Sequence, residues 1–499
     1  MRDANNITMR PAATVLELSF TADELLRALL ALAPGRRVQI LDSGGARDAD
    51  EARFLIAGFD PFETIEARGD ELLIRRRGET SAGVERGSLL SQLDERLARY
   101  RVRTATHASQ LPVAGGACIA SFSYDLARGF QRLRSRAPAS LAAPEDDAAL
   151  AFYDTLVVHD YARGFTYLTS VGGEQQLARA RAALDEARQA TAGRDDAETD
   201  GDHHRRERPT VAASNFTRAD YAAAVRRIKR HIYAGDIYQA NLTQQFTCPL
   251  SAGDSAERVF LRLRREHPAS FAAFLRRRED TVVSASPERF LRVSPDVGEE
   301  AARRVEAWPI KGTRARGREA AEDARLREEL RRSAKDAAEN VMIVDLLRND
   351  LGRVCRYGTI EVAALCEVQE HPTLFHLVSK VRGQLRAGVT AGELLRATFP
   401  CGSITGAPKL RAMEIIDDCE RAPRGLSMGA VGYFSFDGRI DLSVAIRTLT
   451  VRAQTARFNV GGGIVAESDP EAEYEESLVK ARALLSALGA RVGGRAGKI

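Results

Sequence analysis

The chain has 499 residues, of which 44% are hydrophobic and 28% charged. At roughly 100–200 residues per domain this makes two to four units of ordinary globular composition and excludes a disordered chain. Its 73 basic and 69 acidic side chains leave a net charge of +4, too balanced for a dedicated nucleic-acid binder. No run approaches the ~18 apolar residues of a membrane span. Residues 1–14 are polar and lack an apolar signal core, so a cytoplasmic protein with no membrane partner is expected.

Along the chain, residues 14–20 alternate as a strand does. Thr21 and Glu24 form a capping-box pattern ahead of a helical run over 25–33, which Pro34 and Gly35 end. Strand-like runs recur at 37–41, 53–57, 117–122, 156–159 and 165–169, and 174–190 reads as a helix. Residues 193–209 contain almost no apolar side chains. This marks a polar linker over 193–213 between a leading region, 1–192, and a second region, 214–490. His203 and His204 lie inside it and, without a framework, are read as inert. Beyond it, Thr217 and Asp220 suggest a helix cap, Tyr221, Val225, Ile228 and Ile232 follow at helical spacing, and Gly235 ends the run. The clearest later strands are 282–286, 429–436, 443–451 and 457–460. No internal repeat is visible. The strands cluster rather than alternate with helices, which gives an α+β class. The six cysteines are far apart and read as reduced, mostly buried thiols.

Several groups could carry chemistry. Asp336 and Glu339, and Glu473 and Glu476, are pairs spaced by three, so each pair shares a helix face. Asp469 and Pro470 start the second helix. Gathered carboxylates suit Mg²⁺, although spacing alone favours acids that simply face water near helix starts. The glycine-rich segments 401–409 and 460–464 are either tight turns or places where backbone approaches a ligand. Lysine occurs only seven times, so Lys311 in P-I-K-G-T stands out as a candidate nucleophilic amine. Glu288, in S-P-E after a strand-like run, could be a general acid. His376 reads more simply as a core histidine.

Taken in order, nine blocks resemble the chorismate-utilising enzymes. They are G-D-I-Y-Q-A-N-L (235–242), S-P-E-R-F (286–290), P-I-K-G-T-R (309–314), the long block 335–354, H-L-V-S (376–379), G-S-I-T-G-A-P-K (402–409), A-I-R-T-L (445–449), G-G-G-I-V-A-E-S (461–468) and E-Y-E-E-S (473–477). The likeness covers roughly 215–487 and lies nearest the aminodeoxychorismate synthase component I branch. L-D-S-G (41–44) and S-Y-D-L (123–126) extend it more weakly into a leading region like that of anthranilate synthase component I.

The resemblance implies stacked, largely antiparallel sheets flanked by helices, with an active site in a central cleft. It implies Mg²⁺, with Glu339 and Glu476 as ligands and Asp336 and Glu473 close by, which reverses the reading from spacing. It implies that chorismate is held by Arg447, Lys480, Gly461, Gly462, Gly463, Thr405, Gly312 and Thr313. An Arg fork and backbone donors suit a dicarboxylate. Lys311 would be the nucleophile, Glu288 the acid, and His376 a support for the leaving group or ring. Water-adding relatives carry Lys where this chain has Gln239, and anthranilate synthases usually carry Ala in the slot of Lys311. Both positions point to amination of chorismate to 4-amino-4-deoxychorismate in p-aminobenzoate and folate synthesis, with ammonia from a separate glutamine amidotransferase subunit. The alternatives are an anthranilate synthase component I and a non-catalytic chorismate-binding scaffold. Ser427 departs from the Tyr or Trp common in relatives and removes an aromatic contact expected near the substrate.

Overall fold

A computed structural model describes residues 14–44, 53–102, 111–113, 115–131, 133, 145–192, 209–295, 302–370 and 374–493. The linker residues 193–208, with His203 and His204, lie outside the described residues. Two large sheets, of 13 and 12 strands among the described residues, are stacked face to face. Among the described residues every strand pairing is antiparallel except that of Thr210–Ser214 with Ala490–Val492.

Side-chain alternation builds the layers. In the strand Ala148–Tyr153, Ala148, Leu150 and Phe152 face one core while Ala151 and Tyr153 face another. In Thr281–Ser286, Val283 and Ala285 face the helices while Val282 faces the other sheet. The middle core, with Ile56, Ile119, Ala273 and Val431, therefore joins the two sheets. The helices Ala22–Ala31, Glu174–Thr191, Ala256–Glu266 and Pro470–Ala487 cover the outer face of the larger sheet. Leu89–Arg99, Ala334–Gly352 and Ala391–Thr398 cover that of the smaller. No helix of the described residues is long and apolar enough to cross a membrane.

The helix starts follow the sequence signals. Thr21 and Glu24 make a complete capping box, Thr217 accepts from the Asp220 N–H, and Asp469 accepts from the N–H groups of Glu471 and Ala472. The six cysteines are free, and five of them are buried.

Three readings need correction. The run 443–451 is two strands, Ile440–Val444 and Thr448–Arg452, in different sheets. The glycines 461–463 do not turn the chain; they lie within the strand Thr455–Ile464. The last residues assigned to the linker form the strand Thr210–Ser214.

The fold also holds a repeat that the sequence hides. Outward from the central pair Gln39–Asp42 and Phe271–Arg276, the larger sheet runs through Phe54–Gly58, Thr155–Asp160, Phe165–Ser170 and Thr14–Leu18 on one side. On the other it runs through Thr281–Ser286, Thr448–Arg452, Thr455–Ile464 and Gln239–Pro249. The two lists correspond in connectivity. The smaller sheet mirrors in the same way about Ala117–Phe122 and Ala430–Ser435. Each half of the chain therefore passes from the larger sheet to the smaller and back: at 59–62 and 154 in the first half, and at 287–288 and 445–447 in the second.

Candidate active site

The second pair of crossings carries two of the expected residues. Glu288 leaves Thr281–Ser286 and leads into Arg289–Val293, while Arg447 precedes Thr448–Arg452. Val444 donates its backbone N–H to the Glu288 carbonyl at 3.0 Å, and Ala285 donates to that of Arg447 at 3.0 Å. Arg447 has φ +46°, a left-handed conformation unusual for a residue with a side chain. Its guanidinium has no hydrogen bond or ion pair among the described residues, and burial pushes its pKa down. An unpaired guanidinium in such a place is an anion site in waiting.

Glu288 is 3% exposed, and its Oε1 has no partner among the described residues. Burial raises its carboxyl to about 7, partly offset by the Ser403 hydroxyl, the Lys311 charge and the Ile310 N–H. A carboxyl so placed is protonated near neutrality and can act as an acid.

Lys311 sits in the strand Ile310–Ala315 at an irregularity of pairing between Ile310 and Thr313. Gly312 takes φ +81° there, and a Cβ on it would stand 2.9 Å from Asp336 Cγ. The bulge turns the Lys311 amine inward. Its Nζ lies 3.4 Å from the Ser403 carbonyl and 3.8 Å from Glu339 Oε2. Ser403, unassigned from sequence, thus touches both the acid and the amine. It is recognisable only as the first hydroxyl of G-S-I-T-G.

The glycine strand forms the floor. A Cβ on Gly463 would lie 2.4 Å from Gln239 Nε2 and 3.4 Å from Lys311 Nζ. On Gly462 it would lie 3.1 Å from Glu473 Oε2, 3.5 Å from Glu476 Oε1 and 3.6 Å from Lys480 Nζ. On Gly461 it would strike the Leu242 carbonyl at 1.8 Å. Gln239 is fully buried, and neither end of its amide has a partner, so both point at what the floor receives.

Carboxylates and lysines ring this floor. Lys480 pairs with Glu476 at 2.7 Å and donates to the Gly461 carbonyl at 3.0 Å. Glu473 accepts from Ser468 at 2.7 Å and faces Lys335 at 3.8 Å. Burial, with the Glu476 charge, raises the Glu473 pKa; Lys480 leads in lowering that of Glu476 against burial. Glu339, Glu473 and Glu476 are the groups that could hold a hard cation. Among the described residues no three such groups already meet at one point. Asp336 stands apart, held by Arg314 at 3.3 Å.

Two expected residues, His376 and Thr405, and the departing Ser427 already have protein partners. His376 is buried opposite Thr313, with Nδ1 and Oγ1 at 3.0 Å. Thr405 uses its hydroxyl to close its own turn on Cys401 and Gly402, at 3.0 and 3.2 Å. Ser427 donates to the Thr448 carbonyl and accepts from the Asn459 N–H, both at 3.1 Å, so it braces the strands beside Arg447.

Residues 41–486 match the chorismate binding enzyme family. The chain belongs to that family. Among its relatives, it is 37% identical to aminodeoxychorismate synthase component 1 of Escherichia coli K12, over 96% of this chain and 99% of that one. It is 39% identical to the Klebsiella aerogenes protein of the same name, over 90% and 93%. Among solved structures it resembles anthranilate synthase component I from Streptococcus pneumoniae, with a TM-score of 0.69 at 26% identity, covering 87% of this chain and 92% of that one. In this chorismate-binding enzyme, the matched span runs through both halves of the mirrored fold.

Proposed function

We propose that the chain aminates chorismate to 4-amino-4-deoxychorismate. The observation that carries this reading is the Lys311 amine set beside the partly protonated Glu288, with Ser403 touching both. The Lys311 nitrogen attacks C2 of the ring. Glu288 gives its proton to the C4 hydroxyl, which leaves as water. Ammonia then attacks C4, the bond from C2 to the lysine nitrogen breaks, and the amine is restored. One difficult displacement becomes two easier ones. Gln239 cannot take a proton from water, which favours an amine over a hydroxyl nucleophile. Arg447, unpaired, binds a substrate carboxylate.

The carboxylates fit Mg²⁺, which keeps waters and takes one or two protein carboxylates with a substrate oxygen. Glu339 and Glu476 would hold it beside the Gly462 cradle, with Glu473 next to them. Its chemistry would be to neutralise and orient the ring carboxylate. Ammonia would come from a separate glutamine amidotransferase subunit, in keeping with the "component 1" of the relatives' names.

The test is purified protein with chorismate, Mg²⁺ and excess ammonium, wild type beside Lys311→Ala, with products identified by mass spectrometry. 4-Amino-4-deoxychorismate from the wild type, lost or diverted in the variant, supports the reading. Anthranilate from the wild type would put the chain with the Streptococcus pneumoniae protein it resembles. Neither product, even with an amidotransferase present, would favour a scaffold role.

A further inference from the structure

The mirrored strand order gives the active site a counterpart in the first half. There the Phe62 N–H donates to the Phe152 carbonyl at 2.8 Å, tying the crossings at 59–62 and 154 as Glu288 and Val444 tie theirs. The strand Phe165–Ser170 and the helix Glu174–Thr191 take the places of Thr455–Ile464 and Pro470–Ala487. At this counterpart position a cleft of about 580 Å³ opens, lined by Phe59, Asp60 and Pro61 of one crossing, Asp154 of the other, and Gln176 and Arg179 of the helix. That volume is of the size small-molecule sites have.

The lining is strongly basic. Arg36, Arg37, Arg75, Arg76, Arg77 and Arg179 stand against Asp60, Glu79 and Asp154, six positive charges against three negative. Four of these arginines are fixed. Arg36 binds Asp60, Arg77 binds Asp154 at 2.8 Å, Arg37 binds Glu66 at 2.7 Å, and Arg76 binds Glu63 at 3.2 Å. Arg75 and Arg179 have no hydrogen bond or ion pair among the described residues, and both are exposed at the cleft. The chemistry of the other half is absent. Phe62 stands where Glu288 stands, and no lysine precedes Lys229.

We infer that this cleft is a second binding site, for a small organic molecule bearing two oxyanion groups, which Arg75 and Arg179 grip over the fixed Arg36–Asp60 and Arg77–Asp154 pairs. Guanidinium forks match carboxylate and phosphate alike, so the shared chemistry is the paired oxyanion. With no counterpart of Glu288 or of Lys311 in place, the cleft binds without turning its ligand over.

The test is isothermal titration of the full-length protein at low ionic strength with citrate and, separately, glycerol 3-phosphate. The first probes the carboxylate source, the second the phosphoester source. The comparison is among wild type, Arg75→Ala/Arg179→Ala and Arg447→Ala, with melting curves to check folding. The expected result is one saturable site for at least one probe. It should weaken at least about tenfold in the double variant, the effect of losing charge-assisted hydrogen bonds, and stay unchanged in Arg447→Ala. Three results would overturn the inference: no saturable binding of either probe in the millimolar range, binding untouched by the double substitution, or binding lost with Arg447→Ala, which would place it in the active site.

Discussion

Val444 donates its backbone N–H to the carbonyl of Glu288 at 3.0 Å, and this bond sets an acid at the junction of two sheets. The carboxyl it fixes is raised to about 7, chiefly by burial. The rate should therefore fall as pH rises through about 7, as the proton to be donated is lost. Glu288→Gln should lower kcat by about 10²–10⁴-fold. A flat pH–rate profile across neutrality would refute the acid role.

The same shift acts on stability. Glutamate in the unfolded chain titrates near 4.3, so between that value and about 7 the folded state binds the extra proton. The stabilisation is complete below the unfolded value and is lost as pH rises through the folded one. Glu288→Gln has no such loss. Melting curves should show the variant gaining on wild type between about pH 4.3 and about pH 7.

The glycines should separate by readout. Alanine at Gly461 meets backbone, the Leu242 carbonyl at 1.8 Å, so the strands must part. A loss of roughly 1–3 kcal/mol in denaturant unfolding is expected. Alanine at Gly463 meets a side-chain amide, that of Gln239, at 2.4 Å. That variant should fold near normally and lose chorismate turnover. Equal effects on stability would show that the strand is not the floor of the site.

Glu339→Gln and Glu476→Gln should each raise the Mg²⁺ concentration for half-maximal activity by at least about tenfold. Asp336→Asn, whose carboxylate is turned to Arg314, should do so less. Metal titration of the rate checks the order.

Lys409, in the G-A-P-K block, serves structure rather than chemistry. It pairs with Asp350 and donates to the Thr398 carbonyl at 2.8 Å, and both charged side chains are nearly inaccessible. Lys409→Met leaves a buried carboxylate alone and should cost about 3–5 kcal/mol. Replacing both, as Asp350→Leu/Lys409→Met, should recover most of that loss in denaturant unfolding.

What the sequence carried was local. The Thr21, Thr217 and Asp469 caps are readable because a hydroxyl or carboxylate at the right offset has one geometric use. The strand Ala117–Phe122 shows at its full length because apolar residues fill both of its faces. The break at 445–447 was hidden because Ala445 and Ile446 continue an apolar run, and a non-glycine in the left-handed region leaves no mark. The glycines 461–463 were ambiguous because turns and close backbone approach use the same residue. Lys311 stood out by the scarcity of lysine, Glu288 by its place after a strand and the carboxylate pairs by their spacing; the family blocks were needed to join them into one expected site. Ser403 joins them by contacts that spacing cannot foretell. The repeat lies in the order of strand pairing, which many apolar patterns satisfy equally.

That pairing has a consequence for how the chain can be divided. At the centre of each sheet, a strand from before the linker meets one from after it: Gln39–Asp42 with Phe271–Arg276, and Ala117–Phe122 with Ala430–Ser435. A polypeptide severed within 193–208 would become two pieces, each with two bare edges whose best match is the other piece. Made alone, each exposes unpaired strands and should aggregate. Made together, the two should zip along those four edges into one enzyme, so what joins the halves is strand pairing rather than the order in which they are read.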